Sequence, residues 1–276
     1  MQEERQGDSD RTEKARELAA SLLMTDSVQG VLALLEIRDH VVPHLFTSRE
    51  ELSGLTVDGH YAIAGVAERL LERWAQGNIA VMARGCDERH LIELAKKGSA
   101  DLSRIKVVGV ACDIFEAKAC HCVQPFPRQA DVGNSIGRVD FMDHEKLNEL
   151  VSMSITERRS FWTEIFSRCI KCYGCRNACP LCNCVDCRLE EERWVRVGEI
   201  PPEYPSFHLI RLFHLADKCV GCMACEKACP MGIPVGRLNL LVRQEMLDWY
   251  GYEAGREVED VSPLLGGALI DVADKK

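Results

Sequence analysis

The sequence has no long apolar run. Its longest, Val31 to Leu35 and Ile79 to Ala83, fall far short of the roughly 20 residues that a membrane-spanning helix needs. Nor does an apolar segment open the chain: the first 17 residues, Met1 to Glu17, are crowded with Glu, Asp, Arg and Lys. A signal peptide is therefore not expected, and the expected compartment is the cytoplasm. There is no basic excess; the net charge is −9 and the isoelectric point about 5.5. A nucleic-acid binder should carry a concentrated basic surface, so that class is excluded. A glycine-rich dinucleotide fingerprint is missing too. What remains, 46% hydrophobic and 28% charged residues in 276, is the composition of a core-forming chain with room for one large domain or two ordinary ones.

Against these absences stand fifteen cysteines, eleven of them between Cys169 and Cys229. Clustered thiols in a long chain without an export signal are more often metal ligands than disulfides.

The pattern divides the chain into a polar N-terminal segment (residues 1–20), a loose helix or an arm, an α/β domain (21–150), a cysteine-rich domain (151–260) and a tail (261–276). The arm and the tail, Val261 to Lys276, are candidates for partner contacts. Val31–Glu36 and Val41–Phe46 read as a pair of strands. Ile63, Val66, Leu70, Leu71 and Trp74 recur at helical spacing, with Gly77 as the stop. Ile79–Ala83, a helix carrying Leu91, Ile92 and Ala95, and Ile105–Val110 then predict a right-handed βαβ unit with parallel strands. Cys86 and Cys112 fall at the carboxyl ends of those strands, the edge of an open α/β sheet where ligands bind. Ser154 and Glu157 predict a capping box before Phe161, Trp162, Ile165 and Phe166. A last helix is expected from Val235 to Tyr250, with Leu238, Val242, Met246 and Trp249 on one face and Gly251 as its end.

The decisive feature is a repeat. Cys169-x-x-Cys172-x-x-Cys175-x-x-x-Cys179-Pro180 returns as Cys219-x-x-Cys222-x-x-Cys225-x-x-x-Cys229-Pro230, each cysteine fifty positions from its counterpart (219 − 169 = 50). Two-residue spacing lets successive thiolates curl around one face of a 4Fe–4S cubane, with Gly174, Gly221 and Ala224 leaving room for close approach. The fourth cysteine is displaced and ligates the other cluster. Cluster one is thus expected to use Cys169, Cys172, Cys175 and Cys229, and cluster two Cys219, Cys222, Cys225 and Cys179. Pro180 and Pro230 end each turn. Zinc also takes four cysteines, but a zinc ribbon uses paired thiols without a third cysteine and trailing Cys-Pro.

Seven cysteines lie outside the repeat. Cys86, Cys112, Cys120 and Cys122 are a candidate set for a third cluster, the alternative being buried apolar thiols. Cys182, Cys184 and Cys187 are one ligand short of a zinc or cluster site and would need to borrow His121, His208 or a thiol of the first domain; a structural or redox thiol group is the equal alternative. Lys171, Arg176, Lys218 and Lys227 flank the motifs and could offset cluster charge, although solvated surface cations are the commoner case.

The stretch from Arg168 to Pro180, the run Phe207-His208-Leu209-Ile210-Arg211 and Gly251-Tyr252-Glu253-Ala254-Gly255 resemble the dicluster ferredoxin domains of formate dehydrogenase beta subunits. Ala83-Arg84-Gly85-Cys86-Asp87, Gly109-Val110-Ala111-Cys112 and the segment from Cys120 to Gly133 resemble, more weakly, the beta subunits of deazaflavin-coenzyme hydrogenases and formate dehydrogenases. That resemblance implies a 4Fe–4S cluster on Cys86, Cys112, Cys120 and Cys122. Two features depart from it: Cys120-x-Cys122 is one residue tighter than the family pattern, and the long segment that completes a flavin pocket there is not expected in the 46 residues after Pro230 (276 − 230 = 46).

The expectation is a non-catalytic subunit, an α/β domain followed by a bacterial-ferredoxin-like α+β domain. It would relay electrons between catalytic and accepting partners of an anaerobic complex of the formate dehydrogenase, hydrogenase or heterodisulfide reductase type. The alternatives are a flavin-dependent (FAD) coenzyme reductase and a zinc-stapled scaffold without redox function.

Overall fold

The computed structural model describes residues 2–25, 27–38, 40–74, 77–139, 149–150 and 152–264. Two compact units emerge, one from Met1–Val139 with Gly255–Asp260 and one from Asp140–Ala254 with Val261–Lys276. The chain is mixed α/β.

In the first unit, β1 (Gly30–Ile37) and β2 (His40–Phe46) form the expected antiparallel pair, with Val31 opposite Phe46 and Ile37 opposite His40. Pro43 sits in β2 without cost to the sheet, since β2 is the edge strand and needs no second ladder. The two β-branched runs that follow are β4 (Ile79–Arg84) and β5 (Ile105–Val110), parallel in register from Ile79/Ile105 to Arg84/Val110. Every residue of β4 is buried, which is why it reads as an unbroken apolar run rather than an alternating one. The order β2-β1-β4-β5 puts β1 parallel to β4 as well, and β3 (Leu55–Thr56) pairs the far half of β1. Helices α2 (Ala64–Arg73) and α3 (Gly85–Lys96) follow the predicted periodicity.

Two boundaries differ from those the sequence suggested. Of the two readings of the polar opening, the helix holds and the free arm does not: residues Gln2–Met24 form a 23-residue helix, α1, and its Ala15, Ala19 and Leu22 are buried with Val31, Phe46 and Val108 in the core of this unit. Alanines at helical spacing form the contact stripe, and their small hydropathy is masked by the surrounding charges. The second difference is that Gly255–Asp260 belongs to the first unit. The Gly255 amide donates to Glu93 at 2.7 Å, and Arg128 pairs with Glu257 at 2.8 Å. Most of the expected tail, residues 265–276, lies outside the described residues, as does the stretch 140–148 at the expected domain boundary.

Beyond β5 the chain doubles back through residues 125–132 over the strand's carboxyl end. Cys112 donates to the Pro125 carbonyl at 2.9 Å and Ala111 to Val132 at 2.9 Å. This return requires a bare backbone at Gly109, because a Cβ there would lie 1.8 Å from the Gln129 carbonyl oxygen. Gly109→Ala is therefore expected to cost about 3 kcal/mol, the upper part of the range for overpacking. A thermal midpoint equal to that of the parent chain would contradict this.

The second unit is helical. Its α5 (Ile155–Ser167) carries the predicted Ser154/Glu157 capping box and buries Phe166, on which Trp162 stacks at 5.4 Å. Helices α7 (Ser206–Leu215) and α9 (Val235–Tyr250) follow, the latter closed by Gly251 at φ 64°. The buried face of α9 is drawn by Val235, Asn239 and Met246, whereas Trp249, expected on it, is 63% exposed. Each cysteine motif ends in a one-turn helix, α6 (Gly174–Asn177) and α8 (Ala224–Lys227), again fifty residues apart. Among the described residues no helix is long and apolar enough to cross a membrane.

Candidate metal centre

The fifty-residue repeat is a repeat of backbone conformation. Lys171 and Gly221 are left-handed at φ 52° and 74°, and Tyr173 and Met223 at φ 58° and 61°. Only one of these four positions is glycine, so three side chains accept a conformation that costs roughly 1–2 kcal/mol each. The turn geometry turns main-chain N–H groups toward the thiols. Lys171 N lies 3.4 Å from Cys169 Sγ, Gly174 N 3.5 Å from Cys172 Sγ and Ile233 N 3.4 Å from Cys229 Sγ. Such donors favour an anionic sulfur and are one of the levers on a cluster's potential.

Cys169, Cys172, Cys175 and Cys229, three thiols of the first motif and the last of the second, line one cavity. Ile170, Tyr173, Phe207, Ile233 and Val235 supply its apolar walls. Gly174 is needed beside it, since a Cβ would meet the Ala228 carbonyl at 2.8 Å and Cys172 Sγ at 3.5 Å. Four thiols, amide donors and a dry wall fit an iron–sulfur cubane chemically. Burial pushes the Cys175 thiol up to about 11 in the protein alone, so these sulfurs ionise readily only against a cation or a metal.

Around the second motif the same burial pushes Cys219 up to about 11 and Cys222 well above its ordinary value. Cys179 from the first motif is near enough to Cys219, Cys222 and Cys225 to influence all three electrostatically. Its own thiol is drawn down to about 6, first by a hydrogen bond with Cys182 and, against burial, by Arg211.

In the first unit, Cys86 is the second residue of α3 and Cys112 follows β5, so both stand at the carboxyl edge of the sheet. Cys120 caps α4 (Ile114–Ala119), and Cys122 donates its amide to Ala117 at 2.9 Å. The Cys112 thiol, pushed up to about 12 by burial and partly relieved by Arg84, also feels Cys120 and Cys122. Arg84, 6% exposed, lies close to both Cys112 and Cys86.

The remaining three thiols go separate ways. Cys182 sits against Cys179, Cys187 packs against Leu189, Val195 and Phe207, and Cys184 is exposed. His208 stacks on Phe166 at 3.9 Å, and burial followed by Arg211 lowers it to about 4. Among the described residues no three His, Cys, Asp or Glu side chains converge closely enough to hold a single metal ion.

Sequence reasoning pointed to flanking cations and overlooked the central one. Arg176 pairs with Glu190, Lys218 with Asp217 at 2.5 Å, and Lys171 donates to the Arg196 carbonyl. It is Arg211, on α7 and 5% exposed, that lies among the sulfurs. A lone arginine within Phe207-His208-Leu209-Ile210-Arg211-Leu212-Phe213 is the signal that could have found it, for a charge in so apolar a helix needs a buried partner.

Comparison with known proteins also points to iron–sulfur binding. A family model described as a 4Fe-4S binding domain matches residues 211–231. The chain is 26% identical to the F420-dependent formate dehydrogenase 1 subunit beta of Methanococcus maripaludis, over 90% of this chain and 91% of that one. It is 45% identical to the F420-dependent formate dehydrogenase subunit beta of Methanocaldococcus jannaschii, over 34% of this chain and 25% of that one. The class is that of an iron–sulfur electron-transfer subunit of an oxidoreductase. Within it, the chain is similar to formate dehydrogenase beta subunits along most of its length.

Proposed function

We propose that the chain relays single electrons through two 4Fe–4S clusters, one on Cys169, Cys172, Cys175 and Cys229, the other on Cys219, Cys222, Cys225 and Cys179. The observation that carries this reading is the cavity shared by three cysteines of one motif and the last of the other. Crossed ligation makes the clusters near neighbours, which suits one-electron hopping. Such clusters supply one-electron storage at potentials between roughly −700 and +450 mV. Cys86, Cys112, Cys120 and Cys122 hold a third cluster, a reading supported by Cys86 and Cys112 lying near Arg84 and by Cys120 and Cys122 lying near Cys112.

The relatives support a reading of the partners. The chain serves a complex of the F420-dependent formate dehydrogenase kind, passing electrons between a formate-oxidising subunit and the coenzyme. A second reading, favoured by the coenzyme named in both relatives, is that the chain itself reduces that coenzyme through a bound flavin. It predicts stoichiometric flavin released on acid denaturation.

Iron, sulfide and zinc analysis of anaerobically purified protein, with EPR after reduction, tests the proposal. About twelve irons per chain are expected from three clusters. About eight would leave the first-unit cysteines without one, and zinc in place of iron and labile sulfide would overturn the relay altogether.

A further inference from the structure

Resting on the two-cluster reading above, we propose that Arg211 is a shared counter-cation that sets the potentials of both clusters together. Its buried guanidinium lies near cysteines of both motifs. Nη2 donates to the Cys175 carbonyl at 3.0 Å, and the side chain is within hydrogen-bonding reach of Cys225. The titratable groups it feels are Cys225, Cys179, Cys182 and Cys175. Among the described residues no carboxylate pairs with it, and Nε is buried without a hydrogen-bond partner.

A buried guanidinium without an anion is costly, so this position makes sense only against negative charge. Ligated thiolates supply that charge, and they belong to both sets: Cys175 to the first cluster, Cys225 and Cys179 to the second. Each cluster gains one unit of negative charge on reduction. A fixed cation at this distance stabilises the reduced form of each and raises both potentials. Arginine suits the role because it stays protonated at every accessible pH and its planar fork reaches several acceptors at once. Of the flanking cations, Arg176, Lys218 and Lys171 are engaged with Glu190, Asp217 and a carbonyl respectively.

The test is an EPR-monitored redox titration of the full chain, purified anaerobically, as Arg211→Gln, Arg211→Met and Arg211→Lys. Iron and sulfide of the parent protein are measured first, so that an absence of clusters there counts against the relay and not against Arg211. In the neutral variants the reduced-to-oxidised ratio of both clusters at a fixed potential is expected to fall at least tenfold, a downward shift of about 59 mV or more for one electron. The lysine variant is expected to stay within about threefold of the parent, a split that a merely structural role would not produce. If the neutral variants lose iron while lysine keeps it, the same dependence on charge is read at assembly. Neutral variants with full iron and unshifted potentials, a shift confined to one cluster, or iron loss in the lysine variant as well would each overturn the proposal.

Discussion

Replacing Cys229 by serine is expected to remove about four irons per chain and one reduced EPR signal, and the cluster lost should be the one served by the first motif. The expectation comes from where the side chain lies. Cys229 ends the second motif, yet it lines a cavity with Cys169, Cys172 and Cys175. Serine keeps the shape, and the Ile233 amide that donates to Cys229 Sγ at 3.4 Å still has an acceptor. The loss would therefore report on ligation and not on folding. Pairs of substitutions identify the cluster. Cys172→Ser with Cys229→Ser should remove no more iron than either alone, because both strike one cluster. Cys219→Ser with Cys229→Ser should remove about eight irons, because each strikes a different one. The opposite pattern, additive for 172 with 229 and not for 219 with 229, would mean that each motif keeps its own fourth cysteine.

How much of this was legible depends on where the information sits. Strands β1, β2, β4 and β5 announce themselves because short β-branched runs between turn residues have few alternatives, and their register follows from which face is buried. The cysteine pattern is written in local spacing, which is why the grouping of Cys169, Cys172 and Cys175 could be anticipated before any coordinates. Three things could not be read so. Helix α1 contacts its core through alanines, which carry little hydropathy signal of their own. The return of Gly255–Asp260 to the first unit rests on a glycine amide reaching Glu93, 162 positions away, and no periodicity encodes such a contact. The left-handed turns at Lys171, Tyr173 and Met223 use residues that do not advertise positive φ. In the candidate site, the flanking lysines drew notice because they adjoin cysteines in sequence, whereas Arg211 adjoins them only in space.

A second large effect is expected in the first unit, from Glu116→Gln. Glu116 lies between two arginines from distant parts of the chain. Arg11 of α1 approaches Oε2 at 2.9 Å, and Arg84 at the end of β4 approaches Oε1 at 2.9 Å. Arg84 also donates to the Val57 carbonyl at 2.6 Å, and Arg11 to that of Ala111 at 3.1 Å. The carboxylate thus ties the opening helix, the sheet and the cysteine-bearing loop together. Removing its charge leaves two largely buried guanidinium groups to share what remains, of which Asp113, 3.3 Å from Arg11, is the nearest carboxylate. A loss of about 3 kcal/mol is expected, or roughly 6–12 °C in thermal midpoint at pH 7. The effect should also have a direction in pH. Burial tends to raise the Glu116 carboxyl, but Arg84 and Arg11 outweigh it and hold it below the ordinary carboxylate range. Its stabilisation is therefore complete above the unfolded value of about 4.5 and fades as pH falls through the lower folded one. Asp87 acts in the opposite sense: burial raises it from 3.8 to about 6, so its stabilisation fades as pH rises across that interval. The comparison is cleanest above pH 7, where both groups are ionised and the difference between parent and variant should be constant. The two unfolding midpoints should draw together only as pH falls through the lowered folded value of Glu116. A Glu116→Gln chain as stable as the parent at pH 7, or a gap that persists undiminished into acid, would show that the arginines find other partners and that this carboxylate is not what joins the three elements.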